Sequence, residues 1–340
     1  GVGTTLGVVA LSLPLLVPVH RAGVHLRPTL RFPAGASARV RQLAVAGLLA
    51  LSGQQLAMLV VIWLSNERGG PGTLNVYTYV QAVALLPYAV LAVPLATAAF
   101  PSLAQEHAVE PASQVSTTLG RTWLATVLVG LLSAGLLVAV ARPVGSFFAL
   151  LDAGRGESAG AAALGAMAPA LAASAPGVLA LGAIGLLSRA LYVRGRARLA
   201  GLVVALGWLG TLILPLVSVG EDAGPARTLV AVFAGLSLGL VLAALGLVAL
   251  ASRAWGRSAL ALPWRPVLAG VLGAVAAGAA GWFLGGVSLP ASLPLATVWV
   301  AGAGAVGLAV FAVVAALVDP SVPRGLLRRR ASVPGSEVVP

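Results

Sequence analysis

Apolar stretches recur along the chain, separated by short segments rich in arginine, glycine and proline. A helix rises 1.5 Å per residue, so crossing a hydrocarbon core of about 30 Å takes roughly twenty apolar residues. Counting such stretches predicts nine spans, at 1–19, 42–64, 77–100, 119–141, 162–188, 198–219, 227–251, 266–286 and 292–318. The remainder, 319–340, carries Pro320, Pro323, Pro334 and Pro340 and reads as a flexible tail. The expected fold class is all-α, a polytopic transmembrane helical bundle.

Composition agrees. The 340 residues are 59% hydrophobic and 9% charged, with a mean hydropathy of +1.01, whereas soluble domains are about 25% charged. The net charge of +12 comes from 21 arginines without a lysine. In a soluble chain that balance suggests nucleic acid. Here the arginines fall between spans, and topology accounts for them. Arg21, Arg27, Arg31, Arg39 and Arg41 lie in the loop 20–41. On the same side follow Arg121, then Arg189, Arg194, Arg196 and Arg198, then Arg253, Arg257 and Arg265, then four in the tail. The alternate loops hold Arg68, Arg142, Arg155 and Arg227. Because positive residues are retained on the cytoplasmic side, residue 1 is expected outside and the C-terminus inside. The basic loop also suits anionic membrane lipids. Without an initiator methionine or a basic start, residue 1 reads as a point inside a longer protein.

Charge placement also restricts the chemistry. All nine acidic residues map to loops, span ends or the tail, whereas proton relays and cation sites in transporters use intramembrane carboxylates. His20, His25 and His107 fall in cytoplasmic loops, and there is no cysteine. No phosphate loop, metal-ligand spacing or catalytic set is visible. The expectation is a non-enzyme without cofactor or metal.

Polar groups inside the spans are few. Gln54 and Gln55 sit mid-span in "LALSGQQLAMLVVIWL", and Gln81 lies four residues after Tyr77 in "YTYVQAVALLPYAVLAVPLATAAFP". An amide in hydrocarbon needs a partner or a water-filled cavity. Interhelical glue and a cavity wall both satisfy that need. Pro87 and Pro94 stand seven apart, as do Pro169 and Pro176 in "MAPALAASAPGVLALG". Proline removes a donor and clashes with the carbonyl four residues earlier. Each pair is therefore either a fixed bend or a hinge of an alternating-access carrier. "GVLGAVAAGAAGWFLGG" sets Gly270, Gly273, Ala274, Ala277 and Gly281 at small-xxx-small spacing, which favours close packing.

"LLPYAVLAVPLATAAFPSLAQ" (85–105) resembles the signature helix of the MurJ/MviN family of lipid II flippases, matching at Pro87, Val93, Leu95, Thr97, Pro101 and Leu103. It departs at Ala89, Ala92 and Pro94. "QQLAMLVVIWLSN" (54–66) is similar to the preceding family helix at Gln55, and "LLSRALYVRGR" (186–196) to a further segment at Tyr192, with departures at Leu191 and Arg196. Where many members carry a charged pair before the signature proline, this chain has Gln81, Ala82, Val83, Ala84 and Leu85.

The resemblance implies the second lobe of a two-lobe exporter of the multidrug/oligosaccharidyl-lipid/polysaccharide superfamily. Residues 1–41 would be the last helix of the first lobe and its basic loop, and 42–251 the six-helix second lobe. Residues 252–318 would be two extra helices resembling a lipid-tail groove, followed by the cytoplasmic tail 319–340. It implies outward movement of an undecaprenyl-linked precursor across the bacterial plasma membrane, with cell-wall synthesis or division proteins as further partners. Gln54, Gln55, Tyr77, Gln81, Pro87, Pro94, Thr97, Pro169, Pro176 and Arg189 are the expected cavity or hinge residues. Alternatives are an exporter of another polysaccharide-linked lipid or a drug, and a non-transporting scaffold. A membrane glycosyltransferase would need Glu106 and Glu110, the one close cytoplasmic acidic pair.

Overall fold

Inside hydrocarbon every backbone N–H and C=O must find a partner within the protein, and a helix supplies those partners locally. The computed structural model describes residues 2–21, 36–94, 97, 112–153, 160–286, 290 and 292–322, and among them there is no strand. Pro101, His25, His107, Glu106, Glu110, Arg155, most of the loop 20–41 and most of the tail lie outside the described residues.

The helices are α1 (Val2–Arg21), α2 (Ala36–Glu67), α3 (Thr73–Pro87), α4 (Ala112–Ala153), α5 (Ala161–Gly165), α6 (Met167–Val193), α7 (Ala197–Gly210), α8 (Ile213–Ser218), α9 (Gly224–Trp255), α10 (Trp264–Leu284) and α11 (Leu293–Val318). A π-helical turn over Tyr88–Ala92 continues α3, and a 3₁₀ turn over Arg257–Leu260 precedes α10. The chain divides into two units, Gly1–Arg41 and Gln42–Pro340. Among the described residues eight helices are long and apolar enough to cross a membrane: Val40–Glu67, Thr73–Leu91, Thr117–Ala153, Met167–Val193, Ala197–Ser218, Gly224–Trp255, Arg257–Leu284 and Leu293–Val318. The first expected span falls on α1, whose apolar portion is Thr5–Pro14.

Helix ends differ from the apolar runs. α4 has 42 residues, about 63 Å at 1.5 Å each, and projects well beyond the expected 119–141. Arg142, expected in a loop, therefore lies within α4. It donates from Nη1 to the Trp282 carbonyl at 3.1 Å, and its guanidinium sits 4.4 Å from the Trp282 ring centre. That carbonyl belongs to the last turn of α10, where a cation meets the negative end of the helix dipole. Arg189 likewise lies inside α6, which runs on to Val193. There Gly195, with φ of 70°, closes the helix: its N–H reaches the Tyr192 carbonyl and the Arg196 N–H reaches that of Leu191.

Small residues set the packing. A Cβ on Gly53 would meet the backbone of Ala205, and one on Gly201 that of Ala46, so α2 and α7 pass with almost no space between them. In the same way Gly135 admits Ala274, and Gly273 admits Phe311, which binds α10 to α4 and α11. The small-xxx-small spacing of α10 thus serves close packing.

Prolines inside these helices leave carbonyls to be satisfied by neighbours. Pro143 cannot donate to Ala139, and that carbonyl faces Gly281 of α10, where a side chain would collide. Pro169 sits in the first turn of α6, and its clash with the Gly165 carbonyl explains the break between α5 and α6. Pro176 opens α6 in mid-helix, and Ser237 of α9 enters the gap. Its hydroxyl accepts from the Gly177 N–H at 3.0 Å and donates to the Ala173 carbonyl at 2.6 Å. Two backbone groups that would pair with each other in an unbroken helix are joined through one side chain.

Replacing Ser237 by alanine leaves both groups unsatisfied and is expected to cost about 1–3 kcal/mol. The measurement is the unfolding midpoint of purified protein in detergent. Ser252→Ala, at a half-buried serine whose hydroxyl reaches only the Ala249 carbonyl of its own helix, serves as the control and should leave the midpoint unchanged.

Candidate functional site: a polar cavity at a broken helix

One polar stripe runs along α3 and the turn that follows it. Tyr77, Gln81 and Tyr88 recur at helical spacing, with Ala84 between them. The helix begins after a turn in which Gly70 and Gly72 hold φ of 77° and 81°, values only glycine adopts without strain. Thr73 returns its hydroxyl to the Gly69 carbonyl at 2.7 Å. The Tyr77 ring is buried and stacks on Phe233 at 5.2 Å. Gln81 donates from Nε2 to the Tyr77 hydroxyl at 3.3 Å.

Opposite this stripe lies a discontinuous helix. Pro215 removes the donor that would reach Thr211, and the segment breaks into α7 and α8 around Thr211 and Leu212. The Thr211 hydroxyl caps the Trp208 carbonyl at 2.6 Å, and the freed Thr211 carbonyl is pressed against Gly235 of α9. Between α2, α3, the α7–α8 joint and α9 lies a cavity of about 200 Å³. Gln54, Gln55, Tyr77 and Gln81 line it together with Trp208, Thr211 and Pro215. Irregular backbone at membrane depth is tolerated where it is buried in protein or lines a cavity, and this break does both.

The structure thus brings four of the ten expected site residues into one cavity and distributes the rest. Pro87 borders an apolar groove of about 560 Å³ between α3, α4 and α11, with Leu86, Val140, Phe147 and Leu308. Pro94 and Thr97 are exposed beyond the π turn, and the Thr97 hydroxyl donates to the carbonyls of Val93 and Pro94. Pro169 is exposed at the start of α6, and Pro176 borders an apolar crevice with Trp123 and Val241. Arg189 stands near the far end of α6. Trp208, Thr211 and Pro215 were not expected, although a proline in the interior of 198–219 was a visible signal. A larger opening of about 890 Å³ lies at the other end of α4, with Arg142 and Asp152 on its lining. Arg142 already caps α10 there. Among the described residues no group of three histidine or acidic side chains could hold a metal ion.

Among the described residues, eight helices long and apolar enough to cross a membrane, a polar cavity at a helix break and an apolar groove define a multi-pass α-helical membrane protein. The family described as lipid II flippase MurJ matches residues 1–289. The chain belongs to that family. No curated protein matches its sequence. Among solved structures it is similar to one described as lipid II flippase MurJ in an inward closed conformation, with a TM-score of 0.59 and 16% identity over 83% of this chain and 53% of that one. At that identity the likeness shows the fold, and the chain spans about half the length of that structure.

The lack of native cysteine in these residues makes the cavity testable. Cysteine placed at Gln81 should react with a membrane-impermeant thiol reagent at least tenfold faster than cysteine at Leu242, an exposed apolar position on α9. Equal rates would mean that the cavity does not admit water.

Proposed function

We propose that the chain forms the second lobe and accessory helices of a flippase that moves an undecaprenyl-linked peptidoglycan precursor, lipid II, outward across the bacterial plasma membrane. The family match over 1–289 is the observation that carries this reading. No covalent bond is made or broken in it, so the protein acts as a carrier and not as an enzyme. Residue 1 lies outside and the C-terminus inside, as the arginine distribution favours. The substrate is a lipid-linked precursor, and cell-wall synthesis or division proteins are the further partners.

In this mechanism the two lobes rock about a cavity near the bilayer midplane. Gln54, Gln55, Tyr77 and Gln81 offer neutral donors and acceptors to a polar headgroup. The groove between α3, α4 and α11, lined almost wholly by apolar side chains, offers a place for the polyprenyl tail. Bending is assigned to α3. Pro87 and Pro94 bracket a turn in which the Val93 N–H reaches back five residues to the Tyr88 carbonyl, so the ladder there is already loosened. α6 contains Pro176 but is tied there by Ser237, and Pro169 stands at its first turn. It is assigned the part of a pre-shaped strut.

The full-length protein in vesicles should translocate fluorescent lipid II and should restore growth of cells depleted of their own flippase. Pro87→Ala with Pro94→Ala should slow translocation tenfold or more while leaving the folded fraction unchanged. If the full-length protein neither moves lipid II nor restores growth, the assignment is wrong, and a scaffold role takes its place.

A further inference from the structure

Most of the inward-side arginines among the described residues are either exposed or used to join helices. Arg196 and Arg198 are exposed. Arg194 lies 4.1 Å from the Trp255 ring centre, across from α6 on α9. On the opposite side Arg68 and Arg142 donate to carbonyls more than a hundred residues away. Arg189 does neither. Its Nη1 donates to the Gly185 carbonyl of its own helix at 2.7 Å, a contact that ties nothing to anything else. That bond folds the side chain back along α6 toward its N-terminus, into the bundle. Snorkelling to the cytoplasmic surface would take it the other way. The residue is half-buried, and the described acidic residues (Glu67, Asp152, Glu221, Asp222 and Asp319) all lie off α3 and α6. A charge held inside a spanning segment with no counter-charge paired to it among the described residues is costly and points to a ligand.

A second donor converges on the same place. Tyr88 opens the π turn that continues α3, and such turns re-aim the side chains they carry. A Cβ built on Gly185 would stand 3.5 Å from Arg189 Nη1 and 3.6 Å from the Tyr88 hydroxyl. Both donors therefore border the space left by the missing side chain of Gly185. Neither makes another hydrogen bond among the described residues. A guanidinium carries five N–H donors in a fixed fork, and a phenol adds an O–H. The group that accepts from both at once is an anion with several oxygens and no protons to offer, and phosphoryl oxygens match that fork.

We infer that Tyr88, Gly185 and Arg189 form a binding site for a phosphoryl anion, toward the cytoplasmic end of the α3 stripe. The site lies seven residues beyond Gln81, about 10 Å along the helix. It supplies on α6 a charge that the uncharged segment Gln81–Leu85 of α3 does not. The inference rests on the flippase reading only for the identity of the lipid that carries the phosphate; the anion site itself stands on this geometry.

The test uses full-length protein in nanodiscs and compares binding of undecaprenyl pyrophosphate with binding of undecaprenol, which has the same tail and no phosphate. Wild type should prefer the pyrophosphate at least tenfold. Arg189→Gln should abolish the preference, Tyr88→Phe should reduce it about threefold, and none of the variants should change undecaprenol binding. Gly185→Ala is the decisive control for folding, because its methyl would rest at ordinary contact distance from both donors. It should keep the unfolding midpoint and still lose the preference. Competition by inorganic pyrophosphate or by phosphatidylglycerol nanodiscs would support the site and identify a free or phospholipid phosphate as its source. An unchanged preference in Arg189→Gln and Gly185→Ala overturns it. Loss of the preference in these variants, in a protein that fails to flip lipid II, would leave the site intact and remove only the flippase reading.

Discussion

A backbone dipole in hydrocarbon has no water to fall back on, and the architecture of this chain follows from that constraint. Most of the polypeptide meets it by staying helical. Where Pro143, Pro176 and Pro215 interrupt the ladder, a neighbouring helix packs closely over the gap. The Ala139 carbonyl lies against a glycine of α10, the Thr211 carbonyl against a glycine of α9, and the opened turn at Gly177 closes through Ser237. Breaks and close approaches are thus paired, and the glycines that permit contact stand where unsatisfied carbonyls need cover.

This explains why the fold was only partly legible in sequence. Spans could be counted because hydropathy reports whether a segment enters the bilayer. It does not report where a helix ends once it has left, so the extension of α4 past residue 141 and the inclusion of Arg142 were invisible. The polar cavity was largely readable from Gln54, Gln55, Tyr77 and Gln81, since few other polar groups occupied the spans. Its opposite wall was not read, although Pro215 marked it, because a single proline does not say which side of a helix will open or what will face it. The partnership of Pro176 with Ser237 lies beyond local pattern altogether, as the two are separated by two helices in the chain.

Family membership and fold agree with one another. α3, beside the polar cavity, carries no ionised side chain in its spanning portion, and its polar stripe is built from one amide and two phenols. Neutral donors and acceptors cost less to bury than charges and discriminate by geometry rather than by field. In the proposed reading, headgroup recognition along this helix depends on shape and hydrogen-bond pattern, with the nearest fixed charge borrowed from α6. A carrier arranged this way would be less sensitive to membrane potential at its midplane than one with charges on that helix.

The Ser237 bridge has a consequence for how such a protein can change over generations. Pro176 removes the donor that would reach Ala172, and in the next step of the ladder the hydroxyl at 237 stands between the Gly177 N–H and the Ala173 carbonyl, so the two positions are coupled. Neither residue can drift alone without a penalty, so the two behave as one inherited character written at two distant points of the chain. Lineages should lose or keep them together, and a sequence with only one of the pair would carry a compensating change on α9 facing Gly177.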